Sequence, residues 1–440
     1  AMHLTRRFFL QSTGALAVYC GVSPLEALAN SASAEAALAN PGSVAKGKTL
    51  VVLFLRGGID GLNLVVPHAD PHYHDLRHNL RIPKPGEENG CIDLDGFFGL
   101  HPRAHKLERW FEQGEFAAAH AVGYDHNTRS HFEEQDTWET GVIGNTVNSD
   151  GWLNRHLLTS SGHGPVRAIS IGDNLPRILR GDAPAYAVAG IDDLTMPKTA
   201  GNAEAIHAAL EHAYCVPMPG DRAPIAADAA GMVHDAGATT LEGVDLIQSV
   251  ARQPYTPSSE YPSSNLARQL QQAARLIKAN VGLEVITVDY GGWDTHNNQG
   301  NGIEGNFGNK VQTLADALDA FAEDLGDKLQ DTLVLTLSDF GRTAAENGTR
   351  GTDHGWGNCM LALGGGVSQT GPRVDGSSSG ARKVVGRWPG LAPDQLHQKR
   401  DLLHTTDFRD VLAEVVQGHL GNADLQRVLP GHEFQPVGII

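Results

Sequence analysis

The chain is poor in cysteine, in cationic side chains and in long apolar runs, and each shortage excludes something. Only four cysteines occur, Cys20, Cys91, Cys215 and Cys359, with no CxxC spacing. A disulfide framework and a cysteine-rich zinc site are thereby excluded as organising principles. Cys20 leaves with the N-terminal segment described below, so at most one intrachain bridge is expected. Lys+Arg number 34 against 51 Asp+Glu, a formal net charge of −17. That balance disfavours nucleic acid and anionic membrane surfaces as partners and fits simple solubility. No segment of the mature chain reaches the roughly 18 to 20 continuous apolar residues of a membrane span. HExxH is also missing, which leaves a peptidase reading with little support.

What is present begins at the N-terminus. Thr5-Arg6-Arg7-Phe8-Phe9-Leu10 precedes a short, weakly apolar stretch of small residues. An arginine pair in that position is the twin-arginine export signature. Cleavage is expected after Ala27-Leu28-Ala29 or Ala32-Ser33-Ala34. Residues 1–34 are therefore assigned to a signal peptide and linker, and a bacterial periplasmic or secreted location is expected. The remainder, 46–440, is expected to form a single domain, since a chain of this length can bury one large core.

Strand-like and helix-like segments alternate along it. TLVVLFL at 49–55 reads as a strand buried on both faces, as do 116–122, 284–288 and 332–337. Shorter strands are expected at 166–171 and 360–363, and helices at 102–111, 266–280, 311–325 and 408–416. Ser130-His131-Phe132-Glu133 carries the spacing of a capping box at a helix start. The alternation predicts an α/β fold with a doubly wound, mostly parallel sheet. Residues 173–230, rich in Pro, Ala and Gly, are expected to form an inserted cap, and 367–386 an exposed loop.

In such sheets ligands bind beyond the carboxyl ends of the strands. Four polar clusters fall there. Asp60 follows the first strand within Gly57-Gly58-Ile59-Asp60-Gly61 and is either a metal ligand or a turn aspartate. Arg129-Ser130-His131 opens a helix, where Ser130 is either a cap or a nucleophile favoured by the helix N-terminus. Asp294 and His296 lie in Gly291-Gly292-Trp293-Asp294-Thr295-His296, a donor pair suited to zinc or manganese. Asp339 and Arg342 follow the 332–337 strand, and Asp353-His354 comes shortly after. His68, His72, His74 and His78 read as solvated surface or the rim of a site. Cys215-Val216-Pro217-Met218-Pro219 begins like a sulfatase formylglycine motif but ends in proline, and is rejected.

The order of these clusters resembles the alkaline phosphatase superfamily. The segments LFLRGGIDGLN, RSHFEEQDTWETG, DGWLNR, GGWDTHNNQ, LSDFGRT, GTDHGWGN and HTTDFRDVLAEV resemble an exported, uncharacterised family of that clan. The resemblance implies an alkaline phosphatase-like fold and a metal-dependent hydrolase of phosphate or sulfate esters, small or polysaccharide. In it Ser130 attacks, and Asp60 and Asp339 hold a metal beside Ser130. Asp294, His296 and His354, with Asp353, hold a second, and Arg129 or Arg342 neutralises the transferring group. Zinc, manganese, calcium and magnesium, as one ion or two, stay open. Phe340 stands where the superfamily carries a ligand histidine, which weakens the two-metal arrangement. The competing reading is a non-catalytic, metal-stabilised or carbohydrate-binding extracytoplasmic protein on the same fold.

Overall fold

The computed structural model describes residues 47–144, 149–162, 164–193, 224–368 and 384–440. The export segment, Cys20, the Cys215 motif, and most of the 173–230 and 367–386 segments lie outside them. Eleven strands are described: β1 Thr49–Leu55, β2 Val65–Val66, β3 Ile92–Asp93, β4 Gly99–Leu100, β5 Phe116–Gly123, β6 Ala168–Ile171, β7 Tyr186–Val188, β8 Val285–Asp289, β9 Thr332–Ser338, β10 Asn358–Gly364 and β11 Thr406–Asp407. Eight of them form one sheet in the order β11-β5-β10-β9-β1-β8-β6-β7, and β2, β4 and β3 form a small second sheet. The fold is mixed α/β with a large, mostly parallel sheet. β10 alone runs antiparallel to its neighbours β5 and β9.

Every residue of β1 is buried, because the sheet is covered on both sides. Val51, Leu53 and Leu55 face one apolar cluster, and Leu50, Val52 and Phe54 face the other, as the two-residue period of a strand requires. The helices needed here are α1 Glu108–Gln113, α2 His131–Thr140, α3 Trp152–Thr159, α4 Pro224–Arg252, α5 Asn265–Lys278, α6 Asn306–Leu325 and α7 Phe408–Glu414. Leu266, Leu270, Phe307 and Leu314 of α5 and α6 fill the first cluster. Trp152, Leu153, Phe408 and Leu412 of α3 and α7 fill the second. No helix among the described residues is long and apolar enough to cross a membrane.

Three departures from expectation are instructive. The helix expected at 102–111 is a 3₁₀ segment, Pro102–Leu107, followed by α1, with a kink at Ala104. Residues 186–188, expected within a cap, instead extend the main sheet as its edge strand β7. The helix α4 begins inside the same region, at Pro224. Pro, Ala and Gly content marked that region as irregular, but alanine is also the best helix former. Cys91 and Cys359 are buried and free, which leaves no disulfide between them.

β9, β1 and β8 are adjacent and parallel, so the segments after them leave one edge of the sheet side by side. β10 enters the sheet at that same edge because it is antiparallel, which brings residues 351–354 beside the other three.

Candidate metal centre

Three histidines and one aspartate from these segments meet at the edge. His131 opens α2, Asp294 and His296 follow β8, and His354 precedes β10. Donor atoms of His131, Asp294 and His354 all lie within 4.8 Å of one another. Asp294 Oδ1 is 3.1 Å from His296 Nε2 and 3.2 Å from His354 Nε2, and Asp294 Oδ2 is 3.6 Å from His131 Nε2. His296 Nε2 and His354 Nε2 stand 2.9 Å apart. Tetrahedral coordination at metal–nitrogen distances near 2.0–2.1 Å separates donors by about 3.3 Å, so these spacings suit one small divalent cation.

The opposite side of each ring decides what Nε2 offers. His131 Nδ1 lies 2.6 Å from Asp339 Oδ2, His296 Nδ1 2.9 Å from Asp353 Oδ1, and His354 Nδ1 2.8 Å from the Arg129 carbonyl. Ionised carboxylates and carbonyls only accept, so each Nδ1 carries the proton. Nδ1 is thereby committed, and each ring turns its Nε2 toward Asp294; the hydrogen bond to Asp339 raises the His131 pKa above its ordinary value. The 2.9 Å between the Nε2 atoms of His296 and His354 is met either by a proton shared between the two rings or by a cation that both rings ligate. His131 Nε2 is buried without a hydrogen-bond partner. An oxygen acceptor behind each ring is the arrangement that fixes tautomer and basicity in metal-bound histidines.

The electrostatics agree. Burial opposes ionisation of Asp339, but hydrogen bonds from His131, Gln135 and the Gly57 N–H outweigh it and hold the carboxyl below its ordinary range. Burial likewise opposes ionisation of Asp294, and the Arg342 guanidinium, with His296 and His354, overcomes it. The hydrogen bond from His296 keeps Asp353 low. Burial, aided by Arg342 and His131, pulls the His354 ring below its usual value. The groups hydrogen-bonded to the rings comprise three carboxylates, Asp294, Asp339 and Asp353, against the single guanidinium of Arg342. A divalent cation would balance that excess.

The walls are built tightly. Gly57 has φ +117°, and a Cβ there would lie 2.7 Å from the Asp294 amide nitrogen. Gly58 has φ +67°, and a Cβ there would lie 2.6 Å from the Phe340 ring. Phe340, fully buried, lies against both His131 and His354, with ring centroids 4.8 and 4.5 Å apart. The ring that replaces the expected ligand thus supports two others. Arg342 is buried and donates to the carbonyls of Gly57, Gly58, Trp293 and Thr352 as well as to Asp294 at 2.6 Å. Its work is to clamp the loops and orient Asp294.

Not every residue singled out in the sequence arrives here as a ligand. Asp60 is fully buried, and its Oδ1 has no hydrogen-bond partner. Its Oδ2 accepts from Arg77 at 2.5 Å and from Gln299 Nε2 at 2.6 Å. Gln299 Oε1 in turn accepts from Thr295 and Thr352, the neighbours of the ligand loops. An arginine thus neutralises Asp60 where a metal was expected. Asp339 touches His131 and not a second metal position. Arg129 swings its guanidinium to Asp401, at 2.6 Å, and only its backbone carbonyl reaches the centre. Arg129 itself sits at φ +59°, a left-handed conformation uncommon outside glycine.

Ser130 is the N-cap of α2, but its hydroxyl makes no capping bond. The inward acid is Glu134, not Glu133: it accepts from Thr128 N at 2.7 Å and Thr128 Oγ1 at 2.9 Å. The Ser130 hydroxyl is therefore uncommitted, one residue from His131 and beside the Arg129 carbonyl. Gln135, which donates to Asp339 at 2.9 Å, was not anticipated, although its i, i+4 spacing from His131 places both on one helix face. Of the earlier histidine group, His68 is buried near Asp93 and His78 is exposed; they form no part of this centre.

Residues 119–431 match the family described as "Protein of unknown function (DUF1501)". The chain belongs to the DUF1501 family. That span contains His131, Asp294, His296, Asp339, Asp353 and His354, and excludes Asp60. No curated protein matches the chain.

Proposed function

We propose that this DUF1501 protein is a metal-dependent hydrolase of phosphate or sulfate esters, of alkaline phosphatase-like fold, exported by the twin-arginine route. The observation that carries the reading is the pair of facing Nε2 atoms, 2.9 Å apart, each on a ring whose Nδ1 proton is already donated. His131, Asp294, His296 and His354 would hold one cation. The enclosure of Asp60 by Arg77 and Gln299 argues for one metal rather than two. Nitrogen-rich donors favour zinc or manganese over calcium or magnesium.

A divalent cation bound there would polarise an ester oxygen as a Lewis acid. The protein's residues do the rest. Ser130 Oγ attacks phosphorus or sulfur, and the alcohol leaves with the proton that the hydroxyl gives up. Water then releases the phosphoryl or sulfuryl group and regenerates Ser130. The free N–H groups of the first turn of α2 favour the charge that develops on the transferring oxygens. Half-exposure of Asp294 and His296 leaves the centre open to a substrate from solution.

Elemental analysis should find one zinc or manganese per chain, and aryl phosphate, phosphodiester and sulfate substrates should reveal turnover that Ser130→Ala abolishes without metal loss. Wild-type rates in Ser130→Ala would remove the serine from the mechanism. Bound metal with no turnover on any ester would leave a metal-stabilised binding protein.

A further inference from the structure

We propose that a polar cavity beside the metal centre binds the hydroxyl-bearing ring of a saccharide, so that the ester cleaved is a glycan ester. This rests on the ester-hydrolase reading above. The cavity, about 550 Å³, lies over the carboxyl ends of β1, β8 and β6 and takes Asp136 and Glu139 from α2. That volume is within the range of small-molecule sites.

The cavity is coupled to the metal centre through α2. His131 begins the helix, and at 1.5 Å per residue Asp136 and Glu139 lie about 7.5 and 12 Å further along its axis. A sugar ring and its ester link span that interval. A hydrogen-bonded chain runs the same way. Arg56, on the cavity wall, donates to Gln135 Oε1 at 2.9 Å, Gln135 Nε2 donates to Asp339, and Asp339 accepts from His131 Nδ1.

The chemistry of the wall selects the ligand class. Arg56, Arg177 and Arg180 face four carboxylates, so no net positive potential draws an anion. Arg56 is paired with Glu139 at 2.8 Å and Asp289 at 2.9 Å, and Arg177 with Asp136 at 3.4 Å. Paired carboxylates keep spare lone pairs, and the Arg56 guanidinium has N–H groups beyond those it gives to Gln135, Glu139 and Asp289. Vicinal hydroxyls, which donate and accept at once, match such a surface. Gln269 supplies a specific demand. It is 8 % exposed, and its Nε2 donates to the Ile171 carbonyl at 2.7 Å. That carbonyl only accepts, so Oε1 is fixed on the other side, buried and without a partner. A ligand hydroxyl donating to it removes the cost of that orphaned acceptor. Among the described residues no aromatic side chain lines the cavity, so a nucleobase or aryl ligand would find no stacking face.

The test is retention on an array of neutral, amino, phosphorylated and sulfated oligosaccharides, using the full protein both metal-loaded and chelated. Neutral or amino sugars should bind in both states, and Gln269→Met and the exposed-site Asp173→Ala should each weaken binding at least tenfold with metal content unchanged. Esterified sugars should bind more tightly only when metal is present. The proposal is overturned if no glycan is retained in either state, or if both variants retain glycans as the wild type does. Saccharide binding by a protein that holds no metal and cleaves no ester would overturn the hydrolase reading and leave the cavity assignment standing.

Discussion

Asp60→Asn separates a buried structural carboxylate from a metal ligand. The substitution keeps the shape and leaves an oxygen for Gln299, but removes the charge that faces Arg77. Arg77 is itself fully buried, with its other donors on Asn63, Thr343 and Ala344. Removing one partner of a buried ion pair costs about 3–5 kcal/mol, because the remaining charge has no compensation. Asparagine's retained hydrogen bond places the expectation near the lower end, about 3 kcal/mol. For a chain of 440 residues, an unfolding entropy of about 2.1 cal/mol/K per residue gives roughly 0.9 kcal/mol per degree. Tm should therefore fall by about 3 °C in a calorimetric or fluorescence melt. Metal binding is the control: at a hundred times Kd it should raise stability by about 2.7 kcal/mol, again about 3 °C, in both proteins alike. The reasoning fails if Asp60→Asn melts like the wild type and has lost its metal, for then Asp60 is a ligand and Arg77 is dispensable.

Other outcomes follow from the same contacts. Gln135→Leu removes the amide that holds Asp339 and should weaken metal affinity about tenfold, the usual effect of losing a residue behind a ligand histidine, as read by competition with a chelating dye. Gly58→Ala forces a Cβ against the Phe340 ring at a left-handed position and should cost about 1–3 kcal/mol in denaturant unfolding; Phe340→Leu in the same chain should recover part of it. Glu284 is buried, yet His156 and Arg167 overcome that burial and hold its carboxyl down to about 2. Its stabilisation is complete above the ordinary carboxylate range near 4.3 and is lost as pH falls toward 2. Glu284→Gln should lower stability at neutral pH by about 3 kcal/mol and flatten the fall in Tm between roughly pH 4.5 and 2; an unchanged acid profile would refute the assignment.

The sheet was legible because both-face burial writes itself as continuous apolar runs. TLVVLFL at 49–55 and the run at 332–337 coincide with β1 and β9 to within a residue. β7, three residues long, carries too little periodicity to stand out from its Pro- and Gly-rich surroundings. At the centre, Asp294, His296 and His354 could be picked out by strand-tip position. What the sequence could not show is direction. Asp60 and Asp339 occupy equivalent strand tips, yet one turns into Arg77 and the other toward His131. Arg77 lies on the far side of a short helix, and nothing in its local pattern, HDLRHN, marks it as the counter-ion of Asp60.

The surroundings of Asp60, Asp339 and Phe340 together argue against a second cation. A second cation would have needed Asp60 and Asp339 to face it together, with a nitrogen ligand at position 340. Asp60 instead has a guanidinium in permanent residence, so its charge is met without a metal. Asp339 is bonded instead to His131 Nδ1, which turns Nε2 of that ring toward Asp294. Phe340 then fills the space beside His131 and His354, where its face supports both rings and its apolar bulk discourages a second charge. Phe340→His alone should therefore not create a second metal position, because Asp60 would still be bonded to Arg77. A second position needs Arg77 changed as well, for instance to Leu, and the double variant is the one in which elemental analysis should first count two ions per chain.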